Sequence, residues 1–257
     1  MSTLRTVRSS AVIVTTIGLF GAVAIGPTGR VAAASLGKGS TFCKAADAVV
    51  NAKLPDTPQD QSKYTAADKE TNKVYGRILV KSIDTMLKDA PADIKADLTA
   101  QRTMAAGVVK TGIDPENAAP GLGPSSKVAE VVGKSCGYTS LAVIAADYKF
   151  SGVGATVKAG ITALTLKNPS TTENHHMVLV RRQPSQKDPV LKVLSAENPI
   201  GIDFLGFVGD NKPGETKSGI VNLTPGAYIF ACFLPIGGAA TGAPHFTKGM
   251  YGEFAVK

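Results

Sequence analysis

The residues with the most distinctive chemistry lie near the end of the sequence. A strand-like run, Tyr228–Phe233, leads Cys232 into a Gly- and Pro-rich loop, and His245 and Met250 follow that loop. One short segment therefore supplies a thiol, an imidazole and a thioether. Thiolate and imidazole are the side chains that select copper and zinc in proteins.

A further imidazole is available upstream, in the pair His175–His176. One Cys, two His and a weak Met form the ligand set of a mononuclear blue-copper electron-transfer site. All three histidines of the chain fall in the two segments that would supply ligands. If His175 faces the interior, His176 faces outward, because side chains alternate along a strand. The Irving–Williams order favours copper over zinc here.

The same residues also have a simpler interpretation. Cys232 shares a strand face with Tyr228 and Phe230, and a buried cysteine often acts as a small apolar residue. Met250 could belong to the core, and His176 is expected at the surface. A metal-free sandwich that serves as a binding or interaction module of the cell envelope is therefore an alternative.

Short strands in residues 140–257 would position these candidate ligands. Runs with alternating or β-like composition are separated by Gly, Pro and Asn turns, which predicts strands at Ala145–Phe150, Gly152–Val157, Leu164–Asn168, His176–Arg182, Phe204–Val208, Gly219–Leu223, Tyr228–Phe233 and Tyr251–Val256. Several short strands at this spacing predict an antiparallel Greek-key β-sandwich.

Residues 35–139 have helical periodicity instead. Apolar residues recur at three- and four-residue spacing in four segments, and a Pro- and Gly-rich loop precedes the last of them. Cys43 and Cys136 fall on the apolar faces of the first and last helices. We expect an α+β multidomain chain, with a small helical domain at 35–139 followed by the sandwich at 140–257. No cluster in the helical domain indicates chemistry.

Three cysteines allow one disulfide and leave one thiol. A bond between Cys43 and Cys136 would connect the ends of the helical domain. It would leave Cys232 free, as a metal thiolate requires. The competing pairings place Cys232 in a bridge and exclude the copper site. We favour the Cys43–Cys136 pair.

The first residues have the pattern of an export signal. Arg5 and Arg8 precede an apolar run, Ala11–Ile25, and Ala32–Ala34 offers the small residues of a cleavage site. Residues 1–34 are therefore expected to be a signal peptide, with an uncleaved anchor as the alternative. The mature chain would then be secreted or held at the cell envelope, where disulfides persist, and it would lack a transmembrane span.

Composition and motifs argue against several classes of function. The net charge is +8, but three of the positive charges lie in the predicted signal peptide, and no aromatic and basic surface indicates nucleic-acid binding. No Ser/His/Asp triad, phosphate loop or paired-carboxylate motif indicates an enzyme or a small-molecule substrate. A catalytic copper oxidase needs more histidine ligands than the three present. We therefore expect a protein that is not an enzyme.

Three segments carry a family resemblance. Residues 157–175 contain a Gly turn, a strand, an Asn and a loop that leads to His; Leu223–Cys232 is close to Pro-Gly-x-Tyr-x-Phe-x-Cys; His245–Met250 has the His-x4-Met spacing with Gly before Met. In these features most of residues 145–257 resembles the cupredoxins, the superfamily of plastocyanin and azurin.

The resemblance implies one type 1-like copper site. His175, Cys232 and His245 would be its equatorial ligands and Met250 its axial ligand. It also implies electron transfer or copper handling, with a redox partner protein. The sequence departs from the family in one place: twelve residues separate Cys232 from His245, where typical members have only a few.

Overall fold

The structure is a computed structural model. It describes residues 36–53, 55, 57–58, 61–113, 126–196, 199–238 and 242–257. The predicted signal peptide, residues 1–34, lies outside this part of the chain. The described residues all belong to one compact unit. Among the described residues, no helix combines the length and apolar character needed to cross a membrane.

The predicted helices are confirmed within a few residues. They are α1 (Thr41–Val50), α2 (Ala66–Asp89), α3 (Ala92–Thr111) and α4 (Ser126–Ser135). Ser40 caps α1 by accepting a hydrogen bond from the backbone of Cys43, and Thr65 forms a capping box with Asp68 at the start of α2. Gly112 ends α3 with a φ of 70°, the left-handed conformation that glycine adopts without strain.

A disulfide joins Cys43 in α1 to Cys136, which follows α4, and this confirms the favoured pairing. Cys232 is left as a buried thiol. The disulfide lies in an apolar core that includes Phe42 and Val132. The covalent link therefore closes the helical layer on itself and keeps its sulfur atoms out of the sandwich core.

The strands that the structure describes form two sheets, which confirms the sandwich. They are β1 (Thr139–Ala146), β2 (Lys149–Ser151), β3 (Thr156–Val157), β4 (Gly160–Lys167), β5 (His175–Arg182), β6 (Ile202–Asn211), β7 (Thr216–Leu223), β8 (Gly226–Ala231) and β9 (Tyr251–Val256). The strand orders are β2-β1-β4-β7 and β3-β9-β8-β5-β6.

The sandwich is mixed rather than purely antiparallel. β1 pairs with β4 and β3 pairs with β9 in parallel, while the other pairs are antiparallel as expected. Parallel neighbours need a crossover connection, so the turn residues between consecutive strands carry no signal for them. A short helix, α5 (Val190–Ser195), was not expected from the sequence.

Two strand boundaries near the candidate ligands differ from the prediction. Residues 145–150 are a hairpin rather than one strand, because Asp147 and Tyr148 turn the chain with φ of 50° and 58°. The run 228–233 ends as a strand at Ala231, so Cys232 lies one residue beyond β8. Its backbone N–H still donates to the carbonyl of Met250, at 3.0 Å, which continues the pairing towards β9.

Helices α1 and α4 pack against the outer face of the β2-β1-β4-β7 sheet. Ile220 belongs to the helical core, and Ile161 packs against it. A Cβ added to Gly133 in α4 would lie 2.7 Å from the Cβ of Ala163 in β4, so glycine permits this close approach. The Oγ of Ser126 also accepts a hydrogen bond from a β7 backbone N–H, at 2.6 Å. The division into domains at residues 139 and 140 stays a prediction.

Candidate metal centre

The topology brings the start of β5 to the end of β8. The two strands are antiparallel neighbours, and Val178 pairs with Ala231 near that edge. The residues just beyond this pair are the histidines on one strand and Cys232 on the other. The backbone N–H of His176 lies 3.5 Å from the Sγ of Cys232. His175, at 0% exposure, faces the interior as predicted.

His245 reaches the same edge from the other side. It opens a 3-10 turn, His245–Lys248, that Gly249 ends with a φ of 97°. The carbonyl of Cys232 accepts a hydrogen bond from Phe246 N–H at 2.9 Å, and the N–H of Met250 donates to the carbonyl of His245 at 3.3 Å. The backbone thus holds the turn against the end of β8.

Three predicted ligands come together. The Nδ1 atoms of His175 and His245 are 3.2 Å apart, and the Sγ of Cys232 is 3.4 Å from the Nδ1 of His245. All three ligand atoms lie within 4.8 Å of one another, and all three residues are 0% exposed. Met250 is fully buried in the core that also holds Cys232. Its role as a ligand stays a prediction.

A hydrogen-bond network sets the tautomer of His175. The amide nitrogen of Asn168 donates to the carbonyls of Glu173 and Asn211, at 2.8 and 2.9 Å, so its Oδ1 faces Ser170. The Ser170 hydroxyl donates its one hydrogen to that oxygen at 2.6 Å. Its Oγ must therefore accept from the Nε2 of His175, at 2.8 Å. The Nδ1 of His175 then carries a lone pair aimed at the other ligand atoms.

Burial keeps both imidazoles neutral, which is the form that binds a metal ion. It also keeps the thiol protonated, so a metal ion would have to displace that proton. Burial, and then the neighbouring His245, lowers the pKa of His175 to about 4, and burial also lowers the pKa of His245. Burial raises the pKa of the Cys232 thiol to about 11. At neutral pH the two imidazoles are neutral and the thiol is protonated. A bound cation would attract both Nδ1 lone pairs and deprotonate the thiol.

The donor set fits a soft or borderline cation. Metal–nitrogen bonds of about 2.0 Å and metal–sulfur bonds of about 2.3 Å can be made together by donors this close. Neutral imidazole suits copper and zinc, and thiolate suits copper in its reduced state. The site therefore matches the chemistry that the sequence predicted.

His176 is more involved than the sequence indicated. Its side chain is only 14% exposed, so the expectation of a surface residue is wrong. Its Nε2 accepts a hydrogen bond from the backbone N–H of Phe233 at 2.8 Å, and its Nδ1 lies 3.5 Å from a carboxylate oxygen of Asp210. The imidazole therefore connects β5 to the segment that follows Cys232. The sequence signal that could have indicated this role is the position of His176 next to the predicted ligand His175.

A second group that sequence reasoning missed surrounds His245. A carboxylate oxygen of Glu173 lies 3.5 Å from the Nε2 of His245, and the Tyr148 ring meets the His245 ring edge-on at 4.9 Å. Burial works to raise the pKa of Glu173, but hydrogen bonds from Tyr148 and Gly237 and the two nearby imidazoles outweigh it and lower that pKa. Glu173 is therefore a carboxylate at neutral pH.

Among known proteins, this chain is similar to solved structures only, and these include auracyanin, rusticyanin and a copper nitrite reductase. No family model matches this chain, and no curated protein matches it. The reduced auracyanin of Roseiflexus castenholzii is 20% identical and has a TM-score of 0.33, covering 46% of this chain and 97% of its own. Rusticyanin of Thiobacillus ferrooxidans is 19% identical with a TM-score of 0.32, covering 46% and 78%.

A copper nitrite reductase from Nitrosomonas europaea is also similar, at 20% identity and a TM-score of 0.28, covering 47% of this chain and 41% of its own. With TM-scores this low, these similarities carry no argument about what the chain binds. The chemistry of the site has to be inferred from its own residues.

Proposed function

We propose that this chain is an exported copper-binding protein of the cupredoxin type that transfers electrons or carries copper. The observation that carries the proposal is the buried cluster of His175 Nδ1, Cys232 Sγ and His245 Nδ1 within 4.8 Å. The sequence motifs that resemble the cupredoxins support it, because they include the same three residues.

His175, Cys232 and His245 would hold the ion, with Met250 as a candidate fourth ligand. Copper bound there would supply one-electron redox chemistry between Cu(I) and Cu(II). The residues of the chain bury the site and hold it by hydrogen bonds. Hydrogen bonds orient the His175 ring before any ion arrives, and the sandwich core surrounds the thiol. Little rearrangement would then accompany a change of charge.

We infer that the site carries electrons and transforms no substrate. Each of the three candidate ligand residues is fully buried, so none of them presents an exposed surface to a substrate. A redox protein would be the natural partner. The Cys43–Cys136 disulfide supports a location outside the cytosol, secreted or at the cell envelope, because such bonds persist there.

The first test is the visible absorption spectrum of the protein after addition of Cu(II) and removal of the excess. We expect an intense thiolate-to-copper charge-transfer band and about one copper per chain. The Cys232→Ser variant, which keeps a similar volume, should lose the band. A featureless spectrum of the parent protein, with Cys232 still titratable as a thiol, would contradict the proposal.

A metal-free interaction module is the second candidate, and exposed aromatic residues favour it. Phe207 and Phe233 are 39% and 38% exposed and both rings contact His176. Such a surface suits a protein partner. This candidate predicts no metal-dependent change in the spectrum and no loss of partner binding in Cys232→Ser.

A further inference from the structure

A carboxylate occupies the outer side of His245. Glu173 accepts a hydrogen bond from the Tyr148 hydroxyl at 2.8 Å, and the Gly237 N–H lies 3.0 and 3.3 Å from its two oxygens. Its side chain is only 17% exposed, and one oxygen lies 3.5 Å from the Nε2 of His245. Three different segments of the chain thus place one negative charge beside a candidate metal ligand.

His245 needs such a partner. Its Nε2 is buried and, among the described residues, has no hydrogen bond. Buried polar groups in folded proteins are nearly always paired, and an orphaned one asks for an explanation. The Glu173 carboxylate is the charged acceptor beside this nitrogen, and the backbone carbonyl of Pro235 is a second, neutral acceptor near the same ring. A small movement of the ring towards the carboxylate would complete the bond.

The backbone around Tyr148 gives independent support. Asp147 and Tyr148 both have positive φ values, 50° and 58°, in a two-residue hairpin turn where glycine or asparagine is usual. A bulky residue in this conformation is an outlier, and such outliers persist where the surrounding structure holds them. Here the turn delivers the Tyr148 hydroxyl to Glu173 and its ring edge to His245.

We propose that Glu173 is a positioning residue for His245. It accepts a hydrogen bond from the Nε2–H of His245, which selects the tautomer whose Nδ1 lone pair points at His175 and Cys232. Its negative charge also favours the more positive Cu(II) state over Cu(I). Tyr148 and Gly237 hold the carboxylate in place. This inference rests on the proposed function only for its effect on copper.

The first measurement is the reduction potential of the copper-loaded Glu173→Gln variant, which keeps the shape of the side chain and removes its charge. We expect the ratio of Cu(I) to Cu(II) affinity to rise at least tenfold, which is a rise of about 59 mV for one electron. Glu253→Gln is the matched control, because it removes an equal charge from an ion pair with Arg182 elsewhere in the sandwich. The control should change the ratio less than threefold.

The second measurement needs no copper. Nitrogen-15 NMR of the metal-free protein reports the tautomer of each histidine, and we expect His245 in the parent to carry its proton on Nε2. Glu173→Ala removes the charged acceptor and should give a mixture of tautomers at His245, while His175, held by Ser170, keeps its own.

A shift in potential no larger than that of Glu253→Gln would overturn the positioning role, and so would an unchanged His245 tautomer in Glu173→Ala. If the parent protein binds no copper, the proposed function fails by itself. The tautomer measurement then still decides whether Glu173 positions His245.

Discussion

The two sulfur environments of this protein differ in what surrounds them. Cys43 and Cys136 are bonded to each other inside the apolar core of the helices, among side chains such as Phe42. Cys232 is a thiol at the edge of the sandwich core, beside His175 and His245. Cys43 and Cys136 satisfy each other through their disulfide and leave no sulfur free to bind a ligand. The other cysteine shares its surroundings with two polar rings that face each other.

The helical region therefore contributes mainly to the stability of the fold, whereas the end of the sandwich carries the groups that could bind a metal ion. The helical layer buries apolar surface and closes itself covalently, so its contacts stabilise the fold. The end of the sandwich buries two imidazoles whose pKa values are lowered by burial, which costs stability whenever they must be charged. Proteins accept such costs at functional sites. Substitutions in the helical region should therefore change the free energy of unfolding and leave copper binding intact. Substitutions at the end of the sandwich should change copper binding and have smaller effects on stability.

Removing the disulfide should have the largest effect on stability. The Cys43→Ala/Cys136→Ala double variant opens a loop whose ends are 93 residues apart, and the chain-entropy model predicts a loss of about 4–5 kcal/mol. Urea unfolding of the metal-free protein measures this loss. The copper charge-transfer band should survive. Cys232→Ala, which breaks no cross-link, should cost less than half as much; an equal loss would contradict the comparison.

Acid should destabilise the metal-free protein through the sandwich end. The pKa of His175 is about 4 in the folded state and near 6.5 when unfolded, so the unfolded chain binds more protons between these values. Stability should therefore fall as pH decreases from 6.5 to 4, by about 3 kcal/mol from this residue. His245 acts in the same direction. Unfolding of His175→Gln across this range should show a shallower slope; an unchanged slope would contradict the assignment.

Alkali should have the matching effect through Cys232. Its thiol ionises near pH 9 in the unfolded chain and near 11 in the folded one, because burial raises the pKa. Stability of the metal-free protein should therefore fall as pH rises from 9 to 11. The difference in unfolding free energy between parent and Cys232→Ser, measured at pH 8 and pH 11, isolates this contribution.

The contact between α4 and β4 offers a smaller test on the helical side. In Gly133→Ala the new Cβ would lie 2.7 Å from the Cβ of Ala163, and we expect a net loss of about 1–2 kcal/mol with an unchanged copper spectrum. Gly107→Ala in α3 is the matched control, because a Cβ there meets nothing within 4 Å. The control should be neutral or stabilising by up to about 1 kcal/mol.

The smallest effect is expected at His176. His176→Phe keeps an aromatic ring but removes the acceptor of the Phe233 N–H, which should cost about 1 kcal/mol or less. Hydrogen exchange of the Phe233 amide should become faster, while the amide of Tyr228 in β8 should be unchanged. Equal acceleration at both amides would indicate general destabilisation instead.

Much of the candidate site could be predicted from local sequence. Cys232 follows a Pro-Gly turn and an alternating apolar run, and His245 and Met250 have a fixed spacing, so their proximity depends on one hairpin-like return of the chain. The inward direction of His175 follows from the period of a strand. The helices also have local signals, because caps and apolar periodicity lie within each segment.

What could not be predicted depends on contacts between distant segments. The parallel pairs of β1 with β4 and β3 with β9 require crossovers that turn residues do not encode. Glu173 and Tyr148 meet only because a hairpin and a loop converge on His245. The position of His176 depends on the backbone of Phe233, in the segment that follows β8. None of these contacts is indicated by a motif or by the spacing of residues in the sequence.

The burial of Cys232 also bears on how its sulfur survives. Exchange between a thiol and a disulfide requires a thiolate that can reach the bond. Cys232 is 0% exposed and its pKa is about 11, while the Cys43–Cys136 bond lies in a different core. The folded chain is therefore resistant to rearrangement of its own disulfide. The same burial and raised pKa also protect the Cys232 thiol from oxidants in the solvent.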